Sequence, residues 1–277
     1  MAVPHLLKPN NLVQSIERVV TIFDVLAQSS QGISLRELSA RVKLPKGTTH
    51  RLLSSLAYYG YIRQTPETKN YHLGFKLIEL GNSLLNQLDI RSQAKPFLND
   101  LAAKTNETVH LVILDQYEAL YIDKVESKVK QGGLQMASRV GLRVPLHCSA
   151  VGKVLLAYLP ENELEGLIQQ TGLSKRTKNS ITDAENLKAH LKAVRSRGFA
   201  IDDEENEEGI RCVGAPIFNQ QGQVIAAISI SGPTIRIPNK LLQNSLKRKI
   251  IETASAISRE FGYQEPRPMP ANGVRKR

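Results

Sequence analysis

Residues 34–73 hold the pattern that most restricts what this chain can fold into. Two short apolar-striped segments flank Lys43-Leu44-Pro45, and two strand-like segments follow at once. Ser34-Leu35-Arg36-Glu37 is a capping box, in which the serine hydroxyl accepts from the amide three residues on and Glu37 reaches back. Leu35, Leu38 and Val42 form the inner stripe of the helix it starts. The break at 43–45 leads into a further helix from Lys46 to Tyr59. Thr49, Leu52, Leu53 and Leu56 point to its core side, and Gly60 suits the C′ position. Upstream, Leu12, Ile16, Val19, Phe23 and Leu26 recur at helical spacing. Residues 61–64 and 70–73 read as strands around a polar loop at 65–69. Three helices and a hairpin over residues 11–74 make a winged helix-turn-helix.

The geometry of that motif favours DNA. Its second helix fits the major groove and presents its N-terminal side chains to base edges. Lys46, Thr48, His50 and Arg51 point outward in this register. Arg51 can donate twice to one guanine. Gly47 lets backbone approach a phosphate, where helix amides favour an anion. Arg63 and Lys69 on the hairpin can reach flanking phosphates or the minor groove. With Ser34 and Thr49 at the two helix starts, the candidate DNA-binding set is Ser34, Lys46, Gly47, Thr48, Thr49, His50, Arg51, Arg63 and Lys69. Charge agrees: residues 1–74 carry nine Lys and Arg against four Asp and Glu, within a chain of net charge +11. A positive field of this kind attracts polyanions.

Residues 75–89 read as a linker helix, with Leu77, Leu80, Leu84 and Leu88 on one stripe suited to packing on a second subunit. Mixed α and β character begins at residue 90. Helical segments fall at 96–105, 149–159, 183–197 and 239–261, and strands at 108–114, 119–125, 199–202, 212–218 and 224–231. Thr182-Asp183-Ala184-Glu185 reads as a second capping box, and residues 219–222 as a hairpin turn. The expected fold class is α+β, with an antiparallel sheet carrying helices on one side over residues 90–264. Residues 265–277 form a basic, proline-containing tail expected to be disordered. Cys148 and Cys212 are too few for a disulfide framework. With no apolar run of about 20 residues and no signal-peptide core, the expected location is the cytoplasm, with no membrane partner.

Three segments are more distinctive: 141–153 (GLRVPLHCSAVGK), 202–212 (DDEENEEGIRC) and 226–233 (AAISISGP). In this order and spacing they closely resemble the effector-binding domain of the IclR family of bacterial transcriptional regulators, and residues through Gly74 resemble that family's winged helix. The resemblance implies a GAF-like effector domain, homodimers or tetramers joined partly through the DNA-binding domains and linker helices, a small-molecule effector and no catalysis. Within the family the chain looks like regulators of hexuronate or 2-keto-3-deoxygluconate catabolism. The residues argue alongside it. Ser229 and Ser231 lie two apart on a strand and so share a face. Ala150 and Val151 open a helix whose free amides can hold a carboxylate. Asp202 offers an acceptor to a ligand hydroxyl, and Met136 an adaptable apolar wall. Positions matching Met136, Ala150, Val151, Asp202, Ile210, Cys212, Ser229 and Ser231 line the family's effector pocket.

The same residues also admit plainer roles. Ser229 and Ser231 also suit a solvent-facing strand, Cys212 a small buried hydrophobe, and residues 202–205 a solvated acidic loop. Arg143 and Arg211 read as loop holders or partners of that acidic run. His110, His147, Cys148 and Cys212 fit no zinc spacing, so neither metal nor cofactor is expected. A Cys/His hydrolase needs a thiolate beside an oriented imidazole, and nothing in the sequence brings one together. The reading is therefore a DNA-binding regulator, a repressor of a catabolic operon, controlled by a small organic acid. Activation, or a helix-turn-helix that recruits protein, are the alternatives.

Overall fold

The computed structural model describes residues 11–87, 89–126, 136 and 138–264. The basic tail at 265–277 lies outside the described residues. The chain divides into two compact units, Met1–Leu88 and Asp89–Arg277.

The first unit contains α1 (Gln14–Ala27), α2 (Leu35–Arg41), α3 (Lys46–Tyr58), the antiparallel hairpin β1 (Ile62–Gln64) and β2 (Tyr71–Leu73), and α4 (Lys76–Asn86). Its core is Ile22, Leu26, Ile33, Leu38, Leu53, Ile62 and Tyr71. Ser34 caps α2, its hydroxyl accepting from the Glu37 amide at 3.3 Å. The other half of the expected box differs: the Glu37 carboxylate pairs with Arg41, one turn on, at 2.6 Å. An i,i+4 partner of opposite charge competes for the carboxylate. Lys43 takes a left-handed φ of 53° in the turn, and Gly60 one of 77° after α3. A Cβ on Gly74 would stand 2.1 Å from the Gly60 carbonyl oxygen, so the wing closes onto α3 only with glycine there.

The α1 stripe is displaced from the expected one. Ile22 and Leu26 fill the core, while Leu12, Val13, Ile16 and Val20 are exposed, Ile16 at 60%. On α4, Phe75 at its N-cap, Ile78, Leu80 and Leu84 are likewise exposed. Both helices thus carry an apolar face that this unit does not cover.

The second unit is built on a six-stranded antiparallel sheet of order β5-β4-β3-β8-β7-β6. The strands are β3 (Thr108–Asp115), β4 (Glu118–Val125), β5 (Arg143–Val144), β6 (Ala200–Asp203), β7 (Ile210–Phe218) and β8 (Val224–Pro233). Helices lie on both faces rather than one, which corrects the sequence expectation. On one face α5 (Asp89–Thr105) and α10 (Lys247–Glu260) pack together and on the sheet; on the other, α6 (Ala150–Ala157) packs on the sheet and on α8 (Ala184–Arg197). Alternation explains the two layers. Val109, Leu111, Val213, Ala215, Ile217, Ile228 and Ile230 are buried on the first face, and Val112 and Ala227 join α6 on the second.

Other local differences have simple causes. Helix α5 begins at Asp89, seven residues before the expected start, and carries Pro96 within it. Asp183, not Thr182, caps α8, accepting from the Asn186 amide at 2.8 Å. An aspartate caps as well as a threonine or better. Helix α7 (Glu161–Thr171) and the two-residue β5 were not anticipated. Before α10, α9 (Asn239–Leu241) runs into a π-helical turn at Leu242–Leu246. No helix among the described residues is long and apolar enough to cross a membrane.

Candidate functional site

The candidate DNA-reading surface is the start of α3. Lys46, Gly47, His50 and Arg51 are exposed and Thr48 is half-buried. A Cβ on Gly47 would meet nothing within 4 Å, so the backbone is open to a close approach. Thr49 is a correction. It is fully buried, its hydroxyl donating to the Pro45 carbonyl at 3.2 Å. It ties the turn to the helix and cannot face DNA. Ser34 is exposed, its oxygen engaged as the α2 cap. Lys69 is exposed at the hairpin turn with φ 58°. Arg63 is exposed with its guanidinium 5.5 Å from the Phe75 ring centre.

In the second unit, strand register assembles the candidate pocket. Asp202 stands opposite Cys212, Cys212 opposite Ser231, and Ser231 opposite Thr108. The next row places Gly214 opposite Ser229, Ser229 opposite His110, and His110 opposite Lys124. Directly opposed residues share a face, so two polar rows cross the sheet on the side of α6. Ile210, two residues before Cys212, is buried on that face. Ala150 and Val151 are buried at the start of α6, where the first amides have no intrahelical acceptor. Gly214 lets α6 approach: its Cβ would lie 3.2 Å from the Ala150 carbonyl carbon. Ser149 caps the helix, accepting from the Gly152 amide at 3.1 Å and donating to the Pro145 carbonyl at 2.8 Å. A Cβ on Gly152 would come within 2.4 Å of Leu146 backbone, so only glycine allows this turn. Met136 is half-buried, and nothing in the geometry ties it to the rows.

The polar groups here are largely uncharged. Burial and the Lys124 cation push the His110 imidazole down to about 3. Burial, opposed by Lys153 and by amide hydrogen bonds, raises Asp202 to about 7. Asp202 Oδ1 accepts from the Glu205 and Asn206 amides at 2.8 and 3.3 Å, which curls the 202–206 segment. Burial also raises the thiols, Cys148 to about 12 and Cys212 well above its ordinary value. Neither thiol is a ready nucleophile.

Two features escaped the sequence reading. Lys153 on α6 is fully buried, its ammonium bonded to the Ile201 carbonyl and the Glu205 carboxylate. Glu205 Oε2 has no hydrogen-bond partner among the described residues. Thr177 donates to the Glu204 carbonyl at 2.6 Å and Ser180 to the Glu205 carbonyl at 2.7 Å, which finishes pinning the loop. The second feature is His110 itself, in direct contact with both serines. As for the arginines, Arg211 pairs with Asp203 in the acidic run as expected, whereas Arg143 holds the Asp115 turn.

The two units match two family models. Residues 15–66 match the IclR helix-turn-helix domain, and residues 82–259 match the bacterial transcriptional regulator IclR C-terminal domain. The chain belongs to the IclR family. It is similar to the HTH-type transcriptional regulator XynR of Escherichia coli, at 38% identity over 252 residues, 91% of this chain and 98% of XynR. The regulator KdgR of Dickeya chrysanthemi is 37% identical over 265 residues, 96% of this chain and 85% of KdgR. The crystal structure of the Thermotoga maritima IclR superposes with a TM-score of 0.76 at 35% identity, covering 90% of this chain and 99% of that one. This IclR-family chain is thus a DNA-binding transcriptional regulator with an effector domain, and not an enzyme.

Proposed function

We propose that this IclR-family chain is a cytoplasmic repressor of a catabolic operon that leaves its operator when a small carboxylic acid occupies the polar face of the sheet. The observation that carries the acid reading is the pairing of two rows of hydroxyl, thiol and imidazole groups, ended by Asp202 and Lys124, with the opening amides of α6. Such amides favour an anion. Met136 and Ile210 supply apolar wall in this reading. Similarity to KdgR supports a 2-keto sugar acid such as 2-keto-3-deoxygluconate, with glyoxylate and aromatic acids as further candidates. Repression follows relatives named as repressors, among them IclR and AllR. The uncovered apolar faces of α1 and α4 support a homodimer or tetramer, which lets two winged helices read two half-sites. The acid acts only if it prefers one arrangement of the dimer over the other, and α4 is the element proposed to carry that preference.

Two substitutions test the two halves. Arg51→Ala should weaken binding to the upstream intergenic DNA by about 10- to 100-fold, as expected for one bidentate base contact. Gel-shift titration with footprinting measures it, and an unchanged footprint refutes the role. Ser229→Ala with Ser231→Ala should shift the acid dose curve for operator release to higher concentration. A curve identical to that of the unsubstituted protein refutes the pocket. Absence of any shift at low salt, by a folded dimer, favours a module that recruits protein instead.

A further inference from the structure

We propose that His110 is a specificity-determining residue of the effector pocket: carrying its proton on Nδ1, it turns the Ser229 and Ser231 hydroxyls outward as a matched pair of donors for a carboxylate. The inference rests on the pocket reading above and assigns a role to His110, which is not among the effector-lining positions that the family resemblance implies.

The geometry is compact. His110 on β3 stands opposite Ser229 on β8. Its Nδ1 lies 3.2 Å from Ser229 Oγ and 3.4 Å from Ser231 Oγ, and the two hydroxyl oxygens are 3.4 Å apart. On the far side, Nε2 lies 2.9 Å from Ser138 Oγ. Lys124, the cross-strand neighbour of His110, donates to the Ser138 carbonyl at 2.7 Å and fixes that residue. The Tyr121 ring covers the imidazole, with ring centres 4.8 Å apart. Burial beside a cation keeps the ring neutral, so one nitrogen donates and the other accepts.

Each tautomer gives the serine pair a different polarity. With the proton on Nδ1, the ring donates to the serine oxygens. Both O–H groups can then turn from each other and from Cys212 to an incoming ligand, while Ser138 donates to Nε2. With the proton on Nε2, the ring donates to Ser138, and Nδ1 consumes one serine proton as an acceptor. Only one O–H then remains for the ligand. A carboxylate has acceptors only and is served by two donors. The first tautomer therefore selects acids over neutral alcohols or amides of the same shape, because an acceptor left unpaired in a buried site is costly.

Asparagine and aspartate are nearly isosteric, and each places a polar atom near the position of Nδ1. The amide of Asn can donate there, whereas the carboxylate of Asp, kept ionised by the neighbouring Lys124 cation, cannot. Affinity of the full-length protein for 2-keto-3-deoxygluconate and for glyoxylate is measured by titration calorimetry, with gel filtration and circular dichroism as folding controls. His110→Asn should retain acid binding within about three-fold, and His110→Asp should weaken it by at least about ten-fold, the loss of a charge-assisted hydrogen bond. Equal affinities in the two folded variants overturn the proposal. A measurement on the unsubstituted protein needs neither variant nor ligand. Selective 15N-histidine labelling should show His110 as the Nδ1–H tautomer, untitrated from pH 5 to 8; an Nε2–H tautomer overturns the proposal. The supporting reading fails separately: if Ser229→Ala with Ser231→Ala binds these acids as the unsubstituted protein does, the pocket is elsewhere. If that variant loses binding while His110→Asp keeps it, the His110 assignment alone falls.

Discussion

Lys153→Met should destabilise the effector unit by about 3–5 kcal/mol, the usual loss when one partner of a buried ion pair is removed. The ammonium is fully buried and meets both the Ile201 carbonyl and the Glu205 carboxylate. Methionine fills much of the same volume but leaves Glu205 as a buried charge without a cation. That carboxylate already has one oxygen without a partner among the described residues. Burial raises the affinity of Glu205 for a proton, and Lys153 opposes it, so the single variant should protonate Glu205 and loosen the 202–206 loop. Removing both charges is a different perturbation. Lys153→Met with Glu205→Leu should recover to within about 1–2 kcal/mol of the unsubstituted protein, since apolar replacement of a buried pair is often neutral. Urea unfolding of the full chain, with hydrogen exchange followed across β6 and β7, measures both. Additive losses in the double variant would show that the pair is not coupled.

Acid affinity should fall as pH rises through about 7, by about ten-fold between pH 6 and pH 8 if binding requires a protonated Asp202. The sign follows from the site. Burial raises Asp202 to about 7, so near neutrality it is half protonated and can donate to a ligand oxygen as well as accept. Above 7 its own negative charge opposes a carboxylate in the same small space, and binding must take up a proton. The groups acting on Asp202 are Lys153 of α6, Glu205, and the amides of Glu205 and Asn206; Cys148, Cys212 and Tyr121 are also coupled to it. The two thiols and the phenol are all pushed upward and stay neutral over this range. Asp202→Asn keeps the neutral shape and should bind the acid with little pH dependence. Calorimetry at pH 6, 7 and 8 tests both, and an affinity that rises with pH would reverse the assignment of charge.

Much of this was legible in the chain itself. The break at 43–45, the Ser34 cap and the spacing of Leu38 and Leu53 are local signals, and local signals specify short helices well. Ser229 and Ser231 could be placed on one face because strands alternate strictly, whereas Asp202 and Cys212 joined them through the family resemblance and are aligned with them by the strand register. The remainder depends on contacts distant in sequence. Lys153 is a lone charge in an otherwise apolar helix, and what neutralises it cannot be read locally, since its partner lies 52 residues away. His110 invited a metal reading because the serines it touches are 119 and 121 residues distant. Thr49 occupies the right turn of the right helix for DNA contact, yet the stripe it shares with Leu52, Leu53 and Leu56 already marked it as inward, and it is buried. Helices on both faces of the sheet were missed because the serine-bearing face looked polar enough for solvent, when α6 in fact covers part of it.

The turn between β7 and β8 has a bearing on how new sensors could evolve from this scaffold. Asn219 accepts from the Gln221 and Gln223 amides, and Gly222 supplies a left-handed φ of 74°. Those few bonds fix which residues of the hairpin confront one another. A slip of one residue in that pairing would turn one strand's side chains over, sending Cys212 or Ser231 toward α5 and α10. Side chains within the rows can therefore be exchanged without disturbing the register, whereas a slip at this corner would scatter the two rows to opposite faces of the sheet.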